Sequence, residues 1–230
     1  MRVFLIHGMG RTPLSMLVLK WRLERAGHQV TLFGYLVTAE TLETIGERFI
    51  ERIERTLAED TASEDGTAPW AVVGHSLGNI VTRWASPRLP AGFERFAMLA
   101  PPNRSPAIAQ ALGDHWLFRT LTRDAGAKLA DPTFYDTLPV PDVPAMIIAG
   151  TRGPRGSWHP AGEYPNDCLV AVEETYLPGL PVLEIHAAHS FLMNRRDVFE
   201  AVRTFLDAPG PEPARAVPGL RFVDPAEGVA

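Results

Sequence analysis

At 230 residues the chain is long enough for one sizeable α/β domain, and a second independent core would be cramped. Its 22 basic against 27 acidic residues give a net charge of -5 with no dense Lys/Arg run, which argues against nucleic acid as a partner. The lone Cys168 excludes an internal disulfide framework and a multi-cysteine metal site. No apolar stretch reaches the length of a membrane span and none reads as a signal peptide, so a cytoplasmic protein is expected.

Val3-Phe4-Leu5-Ile6 reads as a buried strand that empties into the glycine-rich turn His7-Gly8-Met9-Gly10. Thr12 and Pro13 open a helix on which Leu14, Leu17, Val18, Trp21 and Arg25 share one face until Gly27 stops it. A strand over Gln29 to Phe33 follows. From Ala39 to Glu59, Leu42, Ile45, Phe49, Ile53 and Leu57 recur at helical spacing among charges, as in an amphipathic helix that covers one face of a sheet. Asp60 to Pro69 is a polar loop. Trp70 to Gly74 is a strand, Ile80 to Pro87 a helix and Phe93 to Ala100 a further strand.

The alternation then breaks. Residues 104–141 hold no convincing strand but carry helical pieces with Leu112, Trp116, Leu117, Leu121 and Leu129, and are expected to form a small helical cap. Val143 to Gly150 resumes the sheet, Thr151 to Pro165 is a loop rich in glycine and proline, and Val182 to His186 is the last strand. Asn194 is expected to cap a helix through Phe199, Val202, Phe205 and Leu206. About six strands with intervening helices imply a parallel, doubly wound sheet over residues 1–207. The Pro/Gly-rich tail, 208–230, is expected to be a loose strap or disordered.

The chemistry gathers around Gly74-His75-Ser76-Leu77-Gly78, where a strand turns sharply into a helix. Glycines two before and two after the serine allow the close approach that such a turn needs, and the turn lifts the hydroxyl clear of the sheet. A serine hydroxyl is a weak nucleophile, so it needs a base, and the base needs an acid to orient it. In this architecture functional loops follow the carboxyl ends of strands, which selects His189 over His28, His115, His159 and His186 and leaves His75 a structural role. By the same rule Asp167, after one strand and before His189, is preferred to Asp142, which precedes its strand and is expected at the surface. The oxyanion donors expected are the backbone N–H groups of Met9 and Leu77, with His7 bracing the turn that carries Met9. Trp116, Leu117, Phe118 and Leu121 suggest an apolar wall for an acyl chain. No zinc or calcium site is visible, and no cofactor is expected.

Together Leu5 to Gly10, Gly74 to Gly78, Ala100-Pro101-Pro102-Asn103, Asn166 to Val170 and the helix after His189 resemble the α/β-hydrolase superfamily. Within it the chain is similar to small bacterial serine lipases and esterases of the Bacillus lipase type. The resemblance covers roughly residues 2 to 207. It implies a minimal sheet without the usual first antiparallel pair, with Ser76, Asp167 and His189 as nucleophile, acid and base. It also carries the oxyanion role over to Leu77 and Met9. Where such lipases often have glycine after the Asn-Asp pair, this chain has Cys168. The implied activity is hydrolysis of a small-molecule or lipid ester through an acyl-enzyme. A thioesterase or acyltransferase uses the same groups, and a non-catalytic binding protein on this fold would have lost one of them.

Overall fold

The computed structural model describes residues 1–60, 68–113, 115–209 and 222–223. Its strands are β1 (Arg2–Ile6), β2 (Gln29–Phe33), β3 (Trp70–His75), β4 (Phe93–Leu99), β5 (Ala145–Gly150), β6 (Val182–Ile185) and β7 (Phe222–Val223). They form one sheet in the order β2-β1-β3-β4-β5-β6-β7. The first six run parallel, and the two residues of β7 pair antiparallel with β6. A parallel sheet with helices on both faces needs strands that are apolar throughout. Successive residues of β1 and β3 do enter different cores: Phe4, Ile6 and Val72 lie on one side, Val3, Leu5 and Val73 on the other.

The helices are α1 (Leu17–Arg25), α2 (Leu42–Asp60), α3 (Leu77–Ala85), α4 (Ala107–Leu112), α5 (Trp116–Ala130), α6 (Pro132–Asp136) and α7 (Arg196–Asp207). α2 and α3 cover the first core with Leu42, Ile45, Phe49, Ile53, Leu77 and Ile80. α1 and α7 cover the second with Leu19, Leu23, Val198, Val202 and Phe205. Helices α4 to α6 occupy the stretch expected to be a cap, and α5 is broken at Arg123, whose φ of 46° is not helical.

Three expectations change. Over the 3-10 turn Pro13–Met16 and α1 the buried face is Met16, Leu19 and Leu23, and the stripe Leu14, Leu17, Val18 and Trp21 faces solvent. This segment is apolar on two sides, so periodicity alone could not say which side meets the sheet. Asn194 does not cap α7: it ends the 3-10 turn His189–Asn194, and Arg195 takes the cap position. In the tail, Phe222–Val223 is a strand rather than loose chain, and most of the rest of that tail lies outside the described residues. Most of the polar loop expected at Asp60 to Pro69 also lies outside them.

The order places β1 between β2 and β3, so the chain leaves β1 in opposite directions across the sheet. Ligands of open α/β sheets bind at such a switch point, beyond the carboxyl ends of the strands. β1 and β3 align with Ile6 opposite Gly74, and α3 packs directly on the end of β1. A Cβ on Gly78 would lie 2.6 Å from the Ile6 carbonyl oxygen and 2.8 Å from that of His7. Gly78→Ala is therefore expected to cost about 1–3 kcal/mol as the helix is pushed off the strand, read as a lower urea midpoint. An unchanged midpoint would refute this packing.

Candidate active site

Ser76 sits at the exit of β3 with φ 51° and ψ -122°, in a region non-glycine residues rarely occupy and at a cost of about 1–3 kcal/mol. The turn is held by its own hydrogen bonds. The Ser76 N–H donates to the Leu99 carbonyl at 2.9 Å, and the Asn79 side-chain amide donates to the carbonyls of Ser76 and Leu99 at 3.1 and 3.0 Å. The neighbouring exit, from β1, comes into contact with it: a Cβ on Gly8 would lie 2.8 Å from the Ser76 Cβ.

His7 fixes the β1 turn. Its ring stacks on Tyr35 at 4.3 Å, and the Tyr35 hydroxyl donates to the His7 carbonyl at 2.7 Å. The neutral ring protonated at Nδ1 meets both of its partners, donating to the Gly8 carbonyl at 2.9 Å and accepting from the Tyr35 N–H at 3.4 Å. Burial lowers the His7 pKa, against the effect of the Gly8 bond. The Met9 N–H that follows has no acceptor among the described residues. Leu77 opens α3, where an amide lacks an intrahelical acceptor.

Asp167 and His189 follow β5 and β6, which are adjacent strands. The Asp167 carboxylate, 1% exposed, takes the His189 Nδ1–H on Oδ2 at 2.7 Å. Its Oδ1 accepts from the Leu169 and Val170 amides at 3.0 and 2.8 Å, and its carbonyl accepts the His189 N–H at 2.9 Å. Asn166 ties the same turn down by donating to the Pro154 and Tyr164 carbonyls and accepting from the Cys168 N–H. Gly150 leaves room for all this, since a Cβ there would stand 2.7 Å from that of Asp167. Cys168 takes φ 90°, the left-handed conformation that glycine would adopt freely. Burial and the neighbouring Asp167 push its thiol up.

β6 lies three places from β3, yet the turn after it reaches back to the elbow. His75 Nε2 donates to the His189 carbonyl at 3.0 Å, and the two rings stand 4.8 Å apart. Among the described residues the Ser76 hydroxyl and His189 share no hydrogen bond, and the link between them runs through His75. Such bonds are often long in unliganded sites and tighten on binding. Burial, reinforced by His189, holds His75 well below the ordinary histidine pKa, and its Nδ1 has no partner among the described residues.

Of the other residues singled out, Asp142, His115 and His186 are exposed and His159 is half-buried. His28 is buried, with Asp207 at 3.4 Å. Trp116 is 71% exposed, and the side chains of Leu117, Phe118 and Leu121 lie outside the described residues. Two polar groups, Arg83 and Glu174, were not anticipated, and Asn103 entered only as part of the Ala100–Asn103 motif. Arg83, 2% exposed, donates to the Leu138 and Pro139 carbonyls and to Asn103 Oδ1, and burial lowers its pKa to about 10. Asn103 passes the link on to the Thr175 carbonyl at 2.8 Å. The Glu174 carboxylate, its pKa raised by burial, accepts from the Ala107 and Ala171 amides, both at 2.7 Å. The signal for Arg83 was a single charge inside an otherwise apolar helix.

No protein-family model and no curated protein sequence matches the chain. Solved structures do. The Bacillus licheniformis lipase BlEst2 in its propeptide form aligns with TM-score 0.75 at 14% identity over 94% of this chain, which spans about half (52%) of that one. Its mature form aligns with TM-score 0.70 at 16% identity over 89% of this chain and 91% of that one. An extracellular α/β-hydrolase from a Paenibacillus species aligns with TM-score 0.59 at 15% identity, covering 91% and 100% of the two chains.

Two predictions come from this geometry. Because His75 and His7 are held neutral in the fold, the unfolded chain binds more protons below its ordinary histidine pKa of 6.5. Their stabilisation is therefore full above that pH and is lost as pH falls below it. His189, His7 and Arg11 are the groups facing His75. The fall in urea midpoint from pH 7 to pH 5 is expected to be smaller in His75→Gln, which retains a donor for the His189 carbonyl. Cys168→Gly, relieving the positive φ, is expected to stabilise by up to about 1 kcal/mol, read as a raised thermal midpoint. A lowered midpoint would mean that the thiol's contact with the Arg152 carbonyl matters more than the strain.

Proposed function

On the α/β-hydrolase fold that this chain has, we propose that it is a serine hydrolase of carboxylic esters. The observation that carries the reading is the buried Asp167–His189 hydrogen bond of 2.7 Å, on the sheet edge where Ser76 is held in a strained turn. Asp167 holds the His189 ring protonated at Nδ1, leaving Nε2 to take the Ser76 proton as the oxygen attacks the ester carbonyl. The Met9 and Leu77 amides stabilise the oxyanion, a contribution of roughly 3–4 kcal/mol for each such donor. Collapse of the tetrahedral intermediate expels the alcohol with the proton from His189. Water, deprotonated by the same ring, then hydrolyses the acyl-enzyme and frees Ser76. The segment 104–141 is read as a cap whose Trp116, Leu117, Phe118 and Leu121 favour short or medium apolar acyl groups.

A fluorophosphonate probe tests this reading, with peptide mapping and turnover of p-nitrophenyl butyrate. The wild type is expected to carry the adduct on Ser76, and Ser76→Ala neither adduct nor turnover while keeping its thermal transition. Asp167→Asn is expected to lose up to about ten-thousand-fold in turnover through the wrong tautomer, and Asp142→Asn almost nothing. Turnover near wild type in purified Ser76→Ala would falsify the assignment.

A further inference from the structure

The 3-10 turn Pro13–Met16 and α1, which follows it directly, are buried on one side only. Met16, Leu19 and Leu23 are fully buried, while Leu14 (69% exposed), Leu17 (43%), Val18 (40%) and Trp21 (54%) form an unbroken apolar stripe in solvent. Phe191, 64% exposed, extends it. Arg22 joins the two segments, donating to the Asn194 and Arg195 carbonyls at 2.9 and 3.0 Å. The stripe therefore starts five residues after Met9 and ends at a side chain two residues beyond His189. An apolar patch of this kind, made of large side chains in contiguous positions, marks a surface that something covers.

The charges around it indicate what. The chain as a whole carries -5, but this edge presents Arg22, Arg25, Arg195 and Arg196. The Arg25 guanidinium lies 4.8 Å over the Trp21 ring, and the Arg196 side chain is 87% exposed. Neither Arg22 nor Arg25 is paired with a carboxylate among the described residues, whereas Arg195 pairs with Asp197 at 2.6 Å and Arg196 lies 3.9 Å from Glu200, both pairs at the surface and open to exchange with a headgroup. A second copy of this chain docking here about a two-fold axis would bring one ring of arginines against the same ring, which disfavours self-association. An apolar helix face of leucine and tryptophan rimmed with arginine instead matches a bilayer surface carrying anionic headgroups.

We propose that α1 and Phe191 form a docking surface for anionic lipid bilayers, the side chains entering the acyl boundary and the arginines meeting headgroup phosphates. Docked in this way, the protein rests on the lipid beside the Gly8–Met9 turn and His189. The surface does not depend on the reaction assigned to Ser76, and Ser76→Ala is expected to dock as the wild type does.

Co-sedimentation of the full chain with vesicles tests it, using pure phosphatidylcholine and phosphatidylcholine with phosphatidylglycerol at a 7:3 ratio. Binding is expected to the mixed vesicles and to be at least about tenfold weaker without the anionic lipid, since several cations contribute. The triple variant Leu14→Ser/Trp21→Ser/Phe191→Ser is expected to lose binding while keeping its thermal transition and its turnover of soluble p-nitrophenyl acetate. Arg25→Gln and Arg196→Gln are each expected to weaken binding by roughly fivefold. The proposal is overturned if the wild type binds neither vesicle, or if the triple variant binds as tightly as the wild type. It is also overturned if the wild type runs as a dimer in size-exclusion chromatography and the triple variant as a monomer.

Discussion

The rest of the site depends on the parallel pairing of β1 with β3. With Ile6 opposite Gly74, continuing the alignment by two residues brings Gly8 against Ser76, and the closeness of their Cβ positions agrees. This pairing arises because the chain goes from β1 to β2 on one side and returns to lay β3 on the other. The two strand exits then leave the sheet together at the point where its order reverses. Glycine at 8 and 78 lets the backbones approach, and His7 with Tyr35 keeps the first turn from relaxing. A side chain at either glycine would separate the elbow from the turn that faces it.

The far side of the site is built differently, from hydrogen bonds rather than close packing. Asp167 is almost wholly buried and would be costly there without partners. Its two carboxylate oxygens meet two backbone amides and one imidazole, so each lone pair facing the protein has a donor. Arg83 and Glu174 meet the same problem beside helices α4 to α6. Each is a charge met by backbone groups, and together with Asn103 they tie the segment 104–141 to α3 and to the turn at Val172–Thr175. Removing any one of them would leave a buried polar group unpaired, the more damaging half of the hydrogen-bond balance.

α1 shows a different balance. Its buried side packs into the second core, while a stripe of large apolar side chains on its other side faces solvent. The stripe also begins close to the Gly8–Met9 turn, at the carboxyl edge of β1.

Much of this was legible in the chain before folding. Continuous apolar runs bounded by glycine identified the strands, because a strand covered on both faces has no polar side to alternate with. Ser76, Asp167 and His189 were singled out because each follows a strand, and position relative to a strand end is a local property of the sequence; the structure brings Asp167 and His189 into a hydrogen bond. α2 was legible for the same kind of reason, its charges marking the solvent face beyond doubt. What tertiary structure alone decided was non-local. Which side of α1 meets the sheet depends on where α7 and the second core lie. That Arg83 finds carbonyls at 138 and 139, or that His75 reaches the carbonyl of His189 more than a hundred positions away, depends on how loops cross the sheet edge. Patterns of neighbouring residues specify the elements and their ends. Which buried donor meets which acceptor is fixed only when those elements are packed, because hydrogen-bond geometry is set by distances in space and not along the chain.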